Sequence, residues 1–388
     1  MASILLHAGR ALTPTSEIQD AGIFICDGVI KSIGPREGLT LPSGAVEIVA
    51  KDKTAIPGFL DVHIHGAGGR DVMEGSAEAL TGVTKTVARH GTTSILATTV
   101  TASPEDTLRG VEGIARYISE QHEAGDPRAE VLGIHFEGPF LSPVRRGVHP
   151  PEWLRLPSAE YLEKLLRAAA GNAQLITLAP ELLGAMPCID AARKAGLVVG
   201  IGHTDATYEQ TRAAIAHGAH HAVHVYNAMR PFSHRDSGVI GAVLTSQEVT
   251  AELIADGVHV EETAMKVLLQ AKGPERMILI SDGISATGMR DGNYILGKME
   301  VTVSGGVCRN AEGKLAGSTL TLDRALRNVV SLGIPFFDAV GMLTVNPAKL
   351  LGIEFKKGVL RTGADADIVL LDEGLQVTQV WTRGRAVE

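Results

Sequence analysis

Apolar residues change their spacing twice along the chain. Near the start they fall in short alternating runs, which predict strands over 3–7, 21–26, 29–33 and 46–49. Asp27-Gly28, between the second and third runs, is a two-residue hairpin-turn signal. The far end is similar, with strands expected over 367–372 and 377–381. Two β-rich ends around a different middle predict a small β-sandwich domain assembled from 1–54 and 355–388.

In the middle, over 55–354, strand-like apolar runs alternate with helical ones. That is the mark of a βα repeat and a parallel sheet. The strand-like runs are 55–63, 93–100, 131–137, 174–178, 197–203, 222–226, 250–255 and 277–282. Helices are expected over 77–90, 104–121, 158–170, 186–195 and 207–217, the last opening on a Thr207-x-x-Gln210 capping box and stopping at Gly218. Eight units predict an α/β fold of the (β/α)8 TIM-barrel type. A doubly wound open sheet is the second choice, weakened by the lack of a Gly-x-Gly-x-x-Gly turn. A Gly-rich stretch over 285–320 interrupts the pattern and reads as a hairpin insertion.

Composition narrows the partners. The formal net charge is -8, from 36 basic and 44 acidic residues, which argues against nucleic acid. A small anion held by a few local groups stays open. Cys26, Cys188 and Cys308 are far apart and odd in number, as expected of reduced thiols in a cytoplasmic protein. The first ten residues lack the basic-then-apolar layout of a secretion signal. No uncharged apolar run reaches the roughly 18 residues of a membrane span, so no membrane partner is expected.

Candidate chemistry collects at the ends of the barrel strands, where the βα loops of such barrels converge. The first strand ends in His63-Ile64-His65, two imidazoles at a spacing that puts both on one face of an extended chain. The third ends in Glu137, the fifth in His203, the sixth in His224 and the eighth in Asp282. His220 and His221 compete with His224, which is preferred for its place at the far end of its strand. Imidazole and carboxylate are the ligand set of Zn(II) or Fe(II), and one or two divalent ions are expected. A metal lowers the pKa of bound water and polarises a carbonyl, and a neighbouring carboxylate then moves the proton. The chemistry implied is hydrolysis of an amide, with Asp282 as general base and then acid.

At this point the chain resembles the amidohydrolase superfamily, and within it the N-acetylglucosamine-6-phosphate deacetylases. The resemblance is carried by Pro57-Gly-Phe-Leu-Asp-Val-His-Ile-His-Gly, His135-Phe-Glu-Gly-Pro-Phe, Gly147-Val-His-Pro, Gly202-His-Thr-Asp-Ala, Tyr226-Asn-Ala-Met, Asp256-Gly-Val-His, Ser281-Asp-Gly and Leu315-Ala-Gly-Ser-Thr, in that order. It implies that Glu137, His203 and His224 hold the main metal. It also implies that His63 and His65 give capacity for a second, with Glu137 bridging, and that Asp282 is the proton shuttle. The substrate implied is an amino-sugar phosphate. Val148 and His149 would contact the N-acetyl sugar; Asn227, Ala228, Arg235 and His259 would read the phosphate end. Leu315, Ala316 and Gly317 would cover the sugar. The resemblance further implies a homodimer in which some phosphate-binding groups cross the interface.

Three other readings compete. A dihydroorotase or hydantoinase would share the barrel but commonly carries a bridging lysine on the fourth strand, and Gln174-Leu-Ile-Thr-Leu-Ala-Pro has none. The epimeric substrate, N-acetylgalactosamine 6-phosphate, differs by one hydroxyl that no motif here reads. A non-enzymatic scaffold should have lost a ligand or the base, and all six are present.

Overall fold

The computed structural model describes residues 3–40, 43–121 and 125–388; residues 1, 2, 41 and 42 of the expected small domain lie outside them. An eight-stranded sheet forms the middle of the chain: Phe59–Ile64, Thr92–Thr99, Glu130–Glu137, Ala173–Leu178, Val198–Ile201, His221–Ala222, Thr250–Ile254 and Met277–Ile280. Each strand pairs in parallel with the next in sequence. At the rim the last strand returns to the first: Ile64 and Gly283 form a parallel bridge, and Asp282 N–H donates to His63 O at 3.0 Å. The sheet therefore closes as a (β/α)8-type barrel. Every residue of Phe59–Ile64, Thr92–Thr99 and Met277–Ile280 is buried, as parallel strands covered on both faces require.

The helices between strands start where their caps dictate. Ser76, Ser103 and Ser158 each accept a backbone N–H at the head of Ala77–Arg89, Pro104–Glu120 and Ala159–Ala168. The capping box is formed: Thr207 accepts from Gln210 N–H, and Gln210 Oε1 accepts from Thr207 N–H at 2.9 Å.

Both chain ends build one seven-stranded sheet in the order Arg385–Ala386, Val377–Thr382, Ile368–Leu371, Val46–Pro57, Ile4–Leu12, Glu17–Cys26, Val29–Pro35. Only Ile4–Leu12 with Val46–Pro57 is a parallel pair. The sheet folds on itself: Ile30 and Trp381, near opposite edges, share one core, and Gly28 lies against Arg383 O. Asp27 (φ 53°) and Gly28 (φ 77°) both turn left-handed, the geometry of a two-residue hairpin. Lys357 joins the two units. Its buried ammonium lies 2.6 Å from Glu130, at the foot of a barrel strand, and 3.0 and 2.9 Å from Asp365 and Asp367.

Several expected strands are shorter than their apolar runs, for two physical reasons. Residues 55–57 pair with the small sheet, opposite Ile368–Leu370, so that sheet runs past residue 54. The barrel strand begins only after Gly58, where a Cβ would fall 2.1 Å from Thr93 Oγ1. The fifth, sixth and eighth strands stop before His203, His224 and Asp282, whose φ values of 47°, 29° and 50° are left-handed. An extended chain cannot continue through such a residue. The insertion is a three-stranded antiparallel sheet, Gly292–Leu296, Met299–Ser304 and Val307–Asn310, with its own small core. Among the described residues, no helix is long and apolar enough to cross a membrane.

Candidate active site

All six expected ligands meet at the rim. Glu137 Oε1 lies 3.2 Å from His203 Nε2 and 3.0 Å from His224 Nε2, and those two nitrogens are 3.2 Å apart. On the other side Glu137 Oε1 is 3.3 Å from His63 Nε2, and Oε2 is 3.3 Å from His65 Nε2. Asp282 Oδ1 completes that side at 3.2 Å from His65 and 3.6 Å from His63. Ligand atoms roughly 2.1 Å from a shared tetrahedral cation sit about 3.4 Å apart, so both sets have the right span.

Tautomers support the same reading. His203 Nδ1 donates to Arg145 O and His65 Nδ1 to Thr98 O, each at 3.0 Å. His63 Nδ1 donates to the Glu252 carboxylate at 3.0 Å. Each ring therefore faces the cluster with Nε2, which in the neutral ring carries the lone pair that binds a metal. His63 Nε2 is buried with no hydrogen-bond partner. Such an orphan is costly in a protein interior and is explained by a cation in front of it. His149 is the opposite case. Its Nδ1 accepts from Thr101 N–H at 3.2 Å, which leaves the proton on Nε2, 3.5 Å from Glu137 Oε2. It faces the cluster as a donor rather than as a ligand.

Charge follows geometry. Burial alone would raise Glu137, but the His63 charge and the close ring nitrogens of His149, His203 and His224 hold it well below the usual carboxylate range. Burial would likewise raise Asp282, and His65, His63 and His224 lower it. Burial opposes a proton on His65, yet Asp282 and Glu137 push it up to about 9. Burial takes His203 down to about 4, keeping it neutral near pH 7. Two buried carboxylates thus demand positive charge among these rings, which a divalent cation supplies.

The cluster floors a cavity of about 160 Å³ walled by Val100, Val148, His149, Asn227, Ala228, His259, Leu296, Leu315 and Gly317. A wider groove of about 570 Å³ lies beside it, but every group of metal-competent side chains found among the described residues belongs to the smaller cavity. His259 is oriented by Asp256, 2.7 Å from its Nδ1. Gly317 (φ 57°) brings its loop so close that a Cβ would sit 3.0 Å from Asp282 O. Two expected contacts are elsewhere. Ala316 is packed into the insertion's own core, away from the cavity. Arg235 stands on an exposed loop with its guanidinium 2.7 Å from His234 Nε2.

Sequence reasoning missed Glu252 and Asp61. Glu252 is the one acid in the buried strand Thr250–Ile254 and contacts His63, His221 and the His224 backbone. Asp61 Oδ1 accepts from His63 N–H at 3.2 Å and Ser281 N–H at 3.3 Å, tying the first strand to the last. An ionisable residue inside an apolar strand was the available signal in both.

The amidohydrolase family model matches residues 54–387. The chain belongs to the amidohydrolase family. It is an enzyme, a hydrolase, and its fold is that of its relatives. It is 39% identical to the N-acetylgalactosamine-6-phosphate deacetylase of Escherichia coli O157:H7, over 98% of both chains. It is 38% identical to the N-acetylglucosamine-6-phosphate deacetylase of Vibrio furnissii, over 98% of this amidohydrolase and 94% of that relative. The N-acetyl-D-glucosamine-6-phosphate deacetylase of Mycobacterium smegmatis, solved in complex with N-acetyl-D-glucosamine-6-phosphate, superposes with a TM-score of 0.91 at 38% identity, covering 100% of each chain. Within this amidohydrolase fold, the His, Glu and Asp side chains at the barrel rim form a cluster able to hold a divalent metal ion.

Proposed function

We propose that this amidohydrolase cleaves the acetamide of N-acetyl-D-glucosamine 6-phosphate, giving D-glucosamine 6-phosphate and acetate. The observation that carries the reading is the cluster of Glu137, His203, His224 and Asp282 beneath a sugar-sized cavity, in a chain whose deacetylase relatives align nearly end to end. Zinc or iron held by Glu137, His203 and His224 would make water nucleophilic near neutral pH and polarise the amide carbonyl. Asp282, its carboxylate at the cavity floor, accepts the proton of the attacking water and returns it to the leaving nitrogen. His149 Nε2–H donates to the oxygen on which negative charge develops. Asn227, Ala228 and His259 all line the cavity and are assigned to the phosphate end. Val148 and Leu315 hold the sugar between the two ends, with Gly317 giving the loop its close approach and Ala316 anchoring that loop.

Arg235 is assigned to the phosphate of a neighbouring copy in a homodimer. Its exposed loop, with Phe232 53% exposed, supports a role across an interface. The chemistry falls to the barrel over 55–354, braced by 1–54 and 355–388. A cytoplasmic setting agrees with three free cysteines.

The relative from E. coli O157:H7 favours a second reading, the galactosamine epimer. Acetate release from both epimeric sugar phosphates, before and after chelation, separates the two. Faster turnover of the gluco epimer that is abolished by chelation and restored by zinc or iron supports the proposal. Faster turnover of the galacto epimer replaces it, and turnover of neither removes both readings.

A further inference from the structure

Glu252 has no part in the steps above, yet it is the most heavily committed carboxylate near them. It is fully buried in Thr250–Ile254 and does not line the cavity. Oε2 accepts from His63 Nδ1 and from the His224 backbone N–H, both at 3.0 Å, while Oε1 accepts from His221 Nε2 at 2.8 Å. One side chain therefore touches a ligand of each proposed metal position.

Its contacts to the two candidate ligands, His63 and His224, are not equally replaceable. The backbone around His224 has other anchors: Val223 N–H donates to Ile201 O at 2.9 Å and Val225 N–H to Glu252 O at 3.0 Å, both between main chains. His203 and His65 are oriented by the main-chain oxygens of Arg145 and Thr98, which no substitution removes. The His63 ring is different, because the Glu252 side chain is what accepts from its Nδ1. Without that acceptor the ring is free to choose the other tautomer, which turns an N–H toward Glu137 and Asp282. A protonated Nε2 cannot ligate.

We propose that Glu252 is a positioning residue for His63, and that it makes the second metal position (His63, His65 and Asp282, with Glu137 shared) competent while the first stands without it. This rests on the metal-dependent reading above. Removing an outer partner of a metal-bound histidine typically weakens affinity by about 10- to 100-fold.

The test is a titration of metal-free full-length protein with Zn(II), read by calorimetry, on the wild type, Glu252→Ala and Glu252→Gln. The wild type is expected to take two equivalents. Glu252→Ala should weaken the second by about 10- to 100-fold and leave the first within threefold. Glu252→Gln, whose amide oxygen still accepts from His63 Nδ1, should restore most of the loss. In a His63→Gln background, Glu252→Ala should change nothing further. A merely structural ion pair with His221 would instead lower thermal stability and weaken both sites together. Should the alanine variant not hold its fold, the double variant Glu252→Leu, His221→Leu fills the space with apolar volume and is held to the same expectation. A wild type that takes one equivalent, equal weakening of both sites, or no weakening overturns the proposal. Zinc-dependent acetate release by the wild type is scored separately, so this idea can fail while the deacetylase reading stands.

Discussion

Replacing Asp282 by asparagine removes a proton acceptor and, at the second metal position, exchanges a carboxylate oxygen for a neutral amide oxygen. The backbone at Asp282 is held from both sides, its N–H donating to His63 O at 3.0 Å and its C=O accepting from Ser318 N–H at 2.7 Å. Its φ of 50° lies in the left-handed region, where asparagine is as much at home as aspartate. The amide can also keep an oxygen toward His65 in place of the carboxylate oxygen now 3.2 Å away. The fold and the Glu137–His203–His224 set are therefore expected to survive. What goes is the group that takes a proton from water and gives it to nitrogen, worth about 10²- to 10⁴-fold in rate. That is roughly 3–5 kcal/mol of barrier. The assay is kcat for acetate release from the sugar phosphate, with metal content and melting temperature measured on the same preparation. A kcat within threefold of wild type would refute the proton-transfer role. A large fall in kcat together with loss of the metal held by Glu137, His203 and His224 would mean that Asp282 acts through the metal site instead.

His149→Asn should lower kcat by about 10²- to 10³-fold with a small change in KM, since it deletes a donor to the developing charge; a change in KM alone would place His149 in ground-state binding. Arg235→Ala should raise KM for the phosphorylated sugar far more than for the unphosphorylated one, and equal effects would take Arg235 out of phosphate recognition. Lys357→Met leaves Glu130, Asp365 and Asp367 facing one another in a buried junction and should cost about 3–5 kcal/mol in urea unfolding, with a cost under about 1 kcal/mol counting against a buried charge cluster. Burial would raise Asp323, but His90, Thr321 and Arg327 bring it down to about 2. Its folded pKa lies below its unfolded one, so its stabilisation is complete above about pH 4 and is lost as pH falls towards 2. Asp323→Asn should accordingly cost about 2 kcal/mol at pH 7 and much less at pH 2, and a cost that does not depend on pH would contradict the assignment.

The barrel and the cluster of candidate ligands at its rim were legible because two periodicities carry them. Alternation places His63 and His65 together, and apolar runs ending in Glu137, His203 and Asp282 mark where strands meet the rim. What could not be read was backbone sign. Val223, Val225 and Tyr226 look like strand residues, yet His224 (φ 29°) and Tyr226 (φ 79°) are left-handed and leave only His221–Ala222 extended. Among the described residues, five of the ten non-glycine positions with positive φ are His203, His224, Tyr226, Ala228 and Asp282, so this distortion collects at the site. Glu252 was overlooked because a lone acid in a short strand reads as a solvent-facing position. Its meaning depends on which ring the barrel brings against it. The helix Gly238–Thr245 was missed for a related reason: nearly every residue is buried, so it shows no polar face to reveal its period. Arg235 stands on an exposed loop outside the cavity of its own chain, and its proposed phosphate role is therefore one across a dimer interface.

Glu137, His203 and His224 are proposed to share one metal ion above which the acetamide is cleaved. Anomalous diffraction from crystals soaked in zinc, with data collected on both sides of the zinc edge, tests it most directly. The expected result is a peak within about 2.0–2.2 Å of Glu137 Oε1, His203 Nε2 and His224 Nε2. A zinc-saturated crystal with no peak there, or with its peak on surface carboxylates alone, would contradict it.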